Sequence, residues 1–112
     1  MMLHYATELK TIKEQQKIKV IVNDKPILFV YVDEQVYAIA NKCPHLGALL
    51  DKGTVDGHLV TCKAHGATFD VKTGDVIEKP RVLWIKVPCK QAKTYHVEVK
   101  NQKVYVEFPD QI

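Results

Sequence analysis

Two short segments concentrate the residue types that bind metals: Cys43-Pro44-His45-Leu46-Gly47-Ala48 and Cys62-Lys63-Ala64-His65-Gly66-Ala67. Together they read as a C-x-H followed, after sixteen intervening residues, by a C-x-x-H. Each segment offers one thiolate and one imidazole, and the glycine near each histidine lets the backbone turn tightly beside the donors. Zinc and iron both accept this donor set. In a Cys2His2 zinc finger, however, the two cysteines share one segment and the two histidines another. The mixed pairs here favour a two-iron cluster, one iron taking both cysteines and the other both histidines. A zinc-stabilised interaction module with no redox role is the competing reading.

Strands must position these segments. Apolar residues alternate at period two through Ile18, Val20 and Val22 and again through Ile27, Phe29 and Tyr31, which predicts half-buried strands. Similar runs at Val36 to Ala40, Leu59 to Cys62, Val82 to Val87, Tyr95 to Val99 and Val104 to Phe108 bring the expectation to about seven strands. Asn23-Asp24-Lys25-Pro26, Asp33-Glu34, Asp56-Gly57, Thr73-Gly74-Asp75 and Asn101-Gln102 are turn signals between them. Short strands at such spacing predict an all-β sandwich or small barrel. Helix is expected only as isolated turns near Glu8 to Lys10 and Gly47 to Leu50, and Glu8 to Lys19 reads as a solvated turn and strand entry. Trp84 alternates with Leu83 and Ile85 in an expected strand, so periodicity leaves open whether it faces the core or a partner, and core packing is the expectation.

At 112 residues the chain is expected to form one domain. Its net charge of +3 is spread among strand lysines, as in Lys17-Ile18-Lys19, so a nucleic-acid partner is not expected. No apolar run nears the roughly 20 residues of a membrane-spanning helix, and the N-terminus lacks the pattern of a signal peptide, which makes cytoplasmic location the expectation. Three cysteines, an odd number, argue against a disulfide framework. Cys89 reads as a structural or partly exposed thiol, and His4, His58 and His96 as non-ligand histidines.

The sequence resembles the Rieske-type ferredoxins over most of its length. The likeness rests on the two segments above, on Gly53-Thr54-Val55 leading to Leu59-Val60-Thr61-Cys62, and on His65-Gly66-Ala67-Thr68-Phe69-Asp70 with Thr73-Gly74 after it. Val36-Tyr37-Ala38-Ile39 and Val104-Tyr105-Val106 also match. The resemblance implies an antiparallel β sandwich or barrel base with a small inserted cluster-binding subdomain, about residues 41–70. It also implies one [2Fe-2S] cluster per chain on Cys43, His45, Cys62 and His65. The family's proline-bearing third loop, which shields the cluster, corresponds to Glu78-Lys79-Pro80-Arg81.

Departures from parts of that family carry physical meaning. High-potential members have a further cysteine in each loop, joined as a disulfide, where this chain has Ala48 and Ala64. They also place serine and tyrosine hydroxyls near the cluster sulfurs, at positions corresponding to Ala67 and Phe69. Hydrogen bonds to sulfur stabilise the more negative reduced state, so their loss implies a low potential. Low-potential relatives often carry Pro-Trp where Lys63-Ala64 stand here. The implied role is a non-catalytic carrier of one electron between a reductase and a terminal oxygenase or other oxidoreductase. The small Rieske-like subunit of a nitrite reductase is the alternative. A complete oxygenase would need a second domain for a mononuclear iron, for which the chain has no room.

Overall fold

The computed structural model describes residues 2–44 and 47–108. In chain order, β1 (Met2–Glu8) leads into the helix α1 (Leu9–Gln15), followed by β2 (Lys17–Val22), β3 (Lys25–Val32) and β4 (Gln35–Ala40). A 3-10 turn at Leu50–Lys52 precedes β5 (Thr54–Asp56), β6 (Leu59–Thr61), β7 (Thr68–Asp70) and β8 (Val76–Glu78). Short strands β9 (Arg81–Val82), β10 (Ile85–Lys86) and β11 (Thr94–Tyr95) come next, then β12 (Val97–Lys100) and β13 (Lys103–Phe108).

Three antiparallel sheets carry the chain, in the orders β1-β13-β12, β11-β4-β3-β2 and β5-β6-β7-β8, beside the small β9-β10 hairpin. The second sheet forms the wall between two cores. In β3 the four consecutive residues Ile27 to Val30 are all buried. Leu28 and Val30 join Ile39, Val60, Phe69 and Val71 in one hydrophobic cluster, while Ile27 and Phe29 join Ile12, Ala38, Val104 and Val106 in the other. Period-two alternation therefore serves both faces here, and each fully buried side chain contributes about 1.5–3 kcal/mol of transfer free energy. The sequence expectation of a half-buried strand underestimates β3 for this reason.

Tight hairpins fix the registers. Asn23 and Asp24 both have positive φ, 50° and 63°, as do Asn101 and Gln102 at 52° and 64°. These are two-residue turns whose twist suits antiparallel strands, and the pairs Val22 with Lys25 and Lys100 with Lys103 close them.

Three expectations need correction. Residues Leu9 to Gln15 form a helix whose Ile12 is fully buried and whose C-terminus is closed by Gln16, at φ 68°, through its N–H to the Ile12 carbonyl at 2.7 Å. Two apolar residues on seven leave little amphipathic signal, so tertiary burial of Ile12 supplies what the local pattern lacks. The region Val82 to Val87 is no single strand, because the chain reverses at Leu83-Trp84, where Leu83 has φ 58°. Trp84 consequently sits at a hairpin tip, 80% exposed, and not in the core.

Candidate metal centre

The two cysteine segments are closed by the same pair of backbone hydrogen bonds. In the first, the Cys43 N–H donates to the Ala48 carbonyl at 2.7 Å and the Gly47 N–H donates to the Cys43 carbonyl at 2.8 Å. In the second, the Cys62 N–H donates to the Ala67 carbonyl at 2.7 Å and the Gly66 N–H to the Cys62 carbonyl at 3.0 Å. Cysteine, glycine and alanine thus occupy the first, fifth and sixth places of both. The fifth place requires φ near +78° at Gly47 and +75° at Gly66, a left-handed conformation that glycine adopts without a Cβ penalty.

Both thiols are turned inward. Cys43 and Cys62 are only 3% and 2% exposed and belong to one hydrophobic cluster with Leu28, Leu50, Val60 and Phe69. His65, two residues after the exposed Lys63, is half-buried. His45 and its neighbour Leu46 lie outside the described residues. Soft thiolates drawn into a shared apolar core, with an imidazole nearer the surface, are a donor set that suits an iron–sulfur centre.

Each loop has its own anchor. The second bridges β6 and β7, whose facing residues Thr61 and Thr68 bring their hydroxyls to 2.9 Å just below it. The first is clamped by Asn41, a fully buried polar residue at the end of β4. Its side-chain oxygen accepts the Asp51 N–H at 2.7 Å and its amide donates to the Asp51 carboxylate at 2.7 Å. Lys17 adds hydrogen bonds to the Asp51 and Gly53 carbonyls, each at 3.2 Å. Sequence reasoning passed over Asn41, although a polar residue ending an apolar strand is the signal that could have found it, since buried amides must be satisfied.

The segment Glu78-Lys79-Pro80-Arg81 lies against the second loop. Pro80 is buried, and the Arg81 N–H donates to the His65 carbonyl at 2.8 Å. This is the place that the resemblance assigns to a covering loop.

The remaining histidines and the third cysteine have other partners. His58, at the β5–β6 turn, brings Nδ1 to 3.1 Å from the Asp70 carboxylate, and its carbonyl accepts the Val71 N–H at 2.8 Å. Burial raises the Asp70 pKa, but the Lys72 N–H and the His58 imidazole outweigh it and hold the carboxyl below its ordinary value. His4 packs edge-on against Phe108, with centroids 5.0 Å apart, and His96 faces Glu98 at 3.6 Å. Cys89 is half-buried at the border of the cysteine-containing cluster. Burial, then the nearby Cys62 sulfur, push its thiol pKa up, which disfavours the thiolate that binds metal or attacks an electrophile.

Ala67 and Phe69 are fully buried in the cluster that holds Cys43 and Cys62, so at these two positions the core receives a methyl and a phenyl group and no hydroxyl. The hydroxyl between them, on Thr68, is directed to Thr61 and the Gly66 carbonyl.

Comparison with known proteins agrees with this geometry. The family model of the Rieske [2Fe-2S] domain matches residues 2–103. The chain is 32% identical over 100 residues to the ferredoxin component of naphthalene 1,2-dioxygenase/salicylate 5-hydroxylase systems from Ralstonia sp, covering 89% of each chain. It is 29% identical over 103 residues to the ferredoxin component of the naphthalene 1,2-dioxygenase system from Pseudomonas putida, covering 92% of each. The solved ferredoxin of carbazole 1,9a-dioxygenase from Nocardioides aromaticivorans IC177 superposes with a TM-score of 0.78 at 26% identity, covering 95% of this chain and 97% of that one. Because the family match runs nearly the full length, and these relatives are carrier components matched over most of their own length, the chain belongs to the Rieske [2Fe-2S] domain family as a non-enzymatic electron carrier with one such cluster.

Proposed function

We propose that Cys43 and Cys62 ligate one iron and His45 and His65 the other, and that the chain works as a single domain in the cytoplasm. It would pass one electron from a reductase to the terminal oxygenase of a ring-hydroxylating dioxygenase system. The observation that carries the ligand assignment is the repeated loop, which draws both thiols into one apolar core. The relatives named above support the choice of system.

When bound, the cluster supplies reversible one-electron chemistry. The chain's own residues hold the thiols away from water and fix their approach through the Cys–Gly and Cys–Ala backbone bonds. The imidazoles of His45 and His65 would bring their iron no anionic ligand, whereas Cys43 and Cys62 would bring theirs two thiolates, an asymmetry that would favour the added electron on the histidine side. The half-buried His65 would then offer a route towards a docked protein.

The test is electron paramagnetic resonance of the dithionite-reduced protein, with iron and acid-labile sulfide assays. The expected outcome is a Rieske-type spectrum with two irons and two sulfides per chain, lost in Cys62→Ser and altered in His65→Cys. A silent sample containing stoichiometric zinc would refute the assignment.

A further inference from the structure

The two most exposed large apolar residues among those described, Leu83 and Trp84, stand in a hairpin beside the second cysteine loop. The β9–β10 hairpin presents Val82, Leu83, Trp84 and Ile85 at 42%, 79%, 80% and 57% exposure. Solvating four consecutive apolar side chains is unfavourable in an isolated protein, and such a patch marks an interaction site. The hairpin is a defined projection: the Val87 N–H closes its base on the Pro80 carbonyl at 2.9 Å, and the Arg81 N–H ties that base to the His65 carbonyl at 2.8 Å.

Its surroundings are basic. Lys63, Lys79, Arg81 and Lys86 lie on or next to the hairpin and the second loop, with Glu78 as the carboxylate among them. That glutamate reaches Lys86 at 3.2 Å and Arg81 at 4.0 Å, leaving Lys63 and Lys79 with no ion pair among the described residues. An apolar tip with a cationic rim calls for an apolar cleft bordered by carboxylates.

Resting on the carrier function proposed above, we propose that the hairpin is a docking finger. Leu83 and Trp84 insert into an acidic-rimmed apolar cleft of the protein that accepts the electron. A second copy of this chain would oppose like charges. A lipid surface gripping the tip would cover the His65 edge through which the electron must leave. A redox protein satisfies both constraints, because the grip on the tip brings its own centre towards His65.

The test uses the holoprotein and the terminal oxygenase of carbazole 1,9a-dioxygenase from Nocardioides aromaticivorans IC177 as probe. Stopped flow follows the second-order rate at which the reduced chain reduces that oxygenase. The expected wild-type rate falls with rising salt. Leu83→Ser/Trp84→Ser should lose about 10- to 100-fold, as for a pair of interfacial hot-spot residues, while Trp84→Phe keeps most of it. The paramagnetic spectrum and midpoint should stay unchanged in both variants. Trp84 is the chain's single tryptophan, so 5-fluorotryptophan labelling gives one fluorine resonance, which should shift with the oxygenase and not with phosphatidylglycerol vesicles. Equal rates for wild type and the double variant overturn the docking finger alone. A shift caused by the vesicles, or by concentrating the chain itself, assigns the tip to lipid or self-association and overturns it too. A cluster-loaded wild type that passes no electron to this oxygenase overturns the oxygenase reading, and the docking inference falls with it.

Discussion

Gly66→Ala isolates how much the second cysteine loop depends on backbone conformation. Gly66 holds φ at +75°, and a Cβ built there meets no atom of the described residues within 4 Å apart from its two chain neighbours. Crowding by the described residues is therefore removed as a cause, and the left-handed conformation of an alanine is the cost that this geometry assigns, at about 1–2 kcal/mol. The loop can avoid that cost by leaving the conformation, but it then gives up the 3.0 Å bond from the Gly66 N–H to the Cys62 carbonyl, a loss of about 1 kcal/mol. Either route lowers stability by a similar amount, so the melting temperature should fall by roughly 4–10 °C for a domain of this size.

Gly66→Asn is the control, because asparagine has a Cβ but tolerates the left-handed region better than other L-residues. It should recover at least half of the loss. The assay is thermal unfolding of the cluster-loaded proteins at one scan rate, with iron and sulfide content measured alongside. Alanine and asparagine variants equally impaired would show that a side chain at this position is excluded by bulk, against the open space described. An alanine variant as stable as wild type, with full cluster content, would refute the left-handed loop itself.

Two further outcomes follow from the same region. Ala67→Ser and Phe69→Tyr, singly and together, introduce hydroxyls into the core that holds Cys43 and Cys62. If each donates to the cluster and favours the reduced state by about 1–2 kcal/mol, the midpoint rises by roughly 40–90 mV per substitution. Potentiometric titration checks this, starting from a wild-type midpoint in the lower half of the roughly −150 to +300 mV range, and a double variant at the wild-type value would exclude these positions as the determinant. Asp70 provides a pH handle, its carboxyl held below the ordinary value by the Lys72 N–H and His58 against the opposing effect of burial. Its stabilisation is complete above the unfolded carboxyl pKa of about 3.9 and is lost as pH falls through the lower folded value. Urea midpoints should accordingly drop at acid pH for wild type and drop less for Asp70→Asn, and parallel curves for the two would count against the interaction.

The sequence was legible where a local cause sufficed. The two-residue turns were visible because asparagine and aspartate accept positive φ, and Asn23-Asp24 and Asn101-Gln102 adopt it at both positions. The cysteine loops were visible because donors and glycines recur at short spacing. Their shared hydrogen-bond pattern was not, since the histidine is third in one segment and fourth in the other, and the common element is the Cys-to-Gly and Cys-to-Ala backbone closure.

What stayed hidden depends on distant parts of the chain. An apolar alternation cannot say whether one face or both will be covered, and β3 is covered on both because two other sheets pack against its wall. The same ambiguity, with the opposite outcome, misplaced Trp84: Val82-Leu83-Trp84-Ile85 reads as a core strand like Ile27-Leu28-Phe29-Val30, yet among the described residues no further layer covers it. Two segments of equal apolarity thus diverge because one lies between sheets and the other projects from the edge of the cysteine loop. Burial is decided by topology, and an apolar segment that topology leaves uncovered is itself a functional signal, here beside the cysteine loop proposed as the electron's exit.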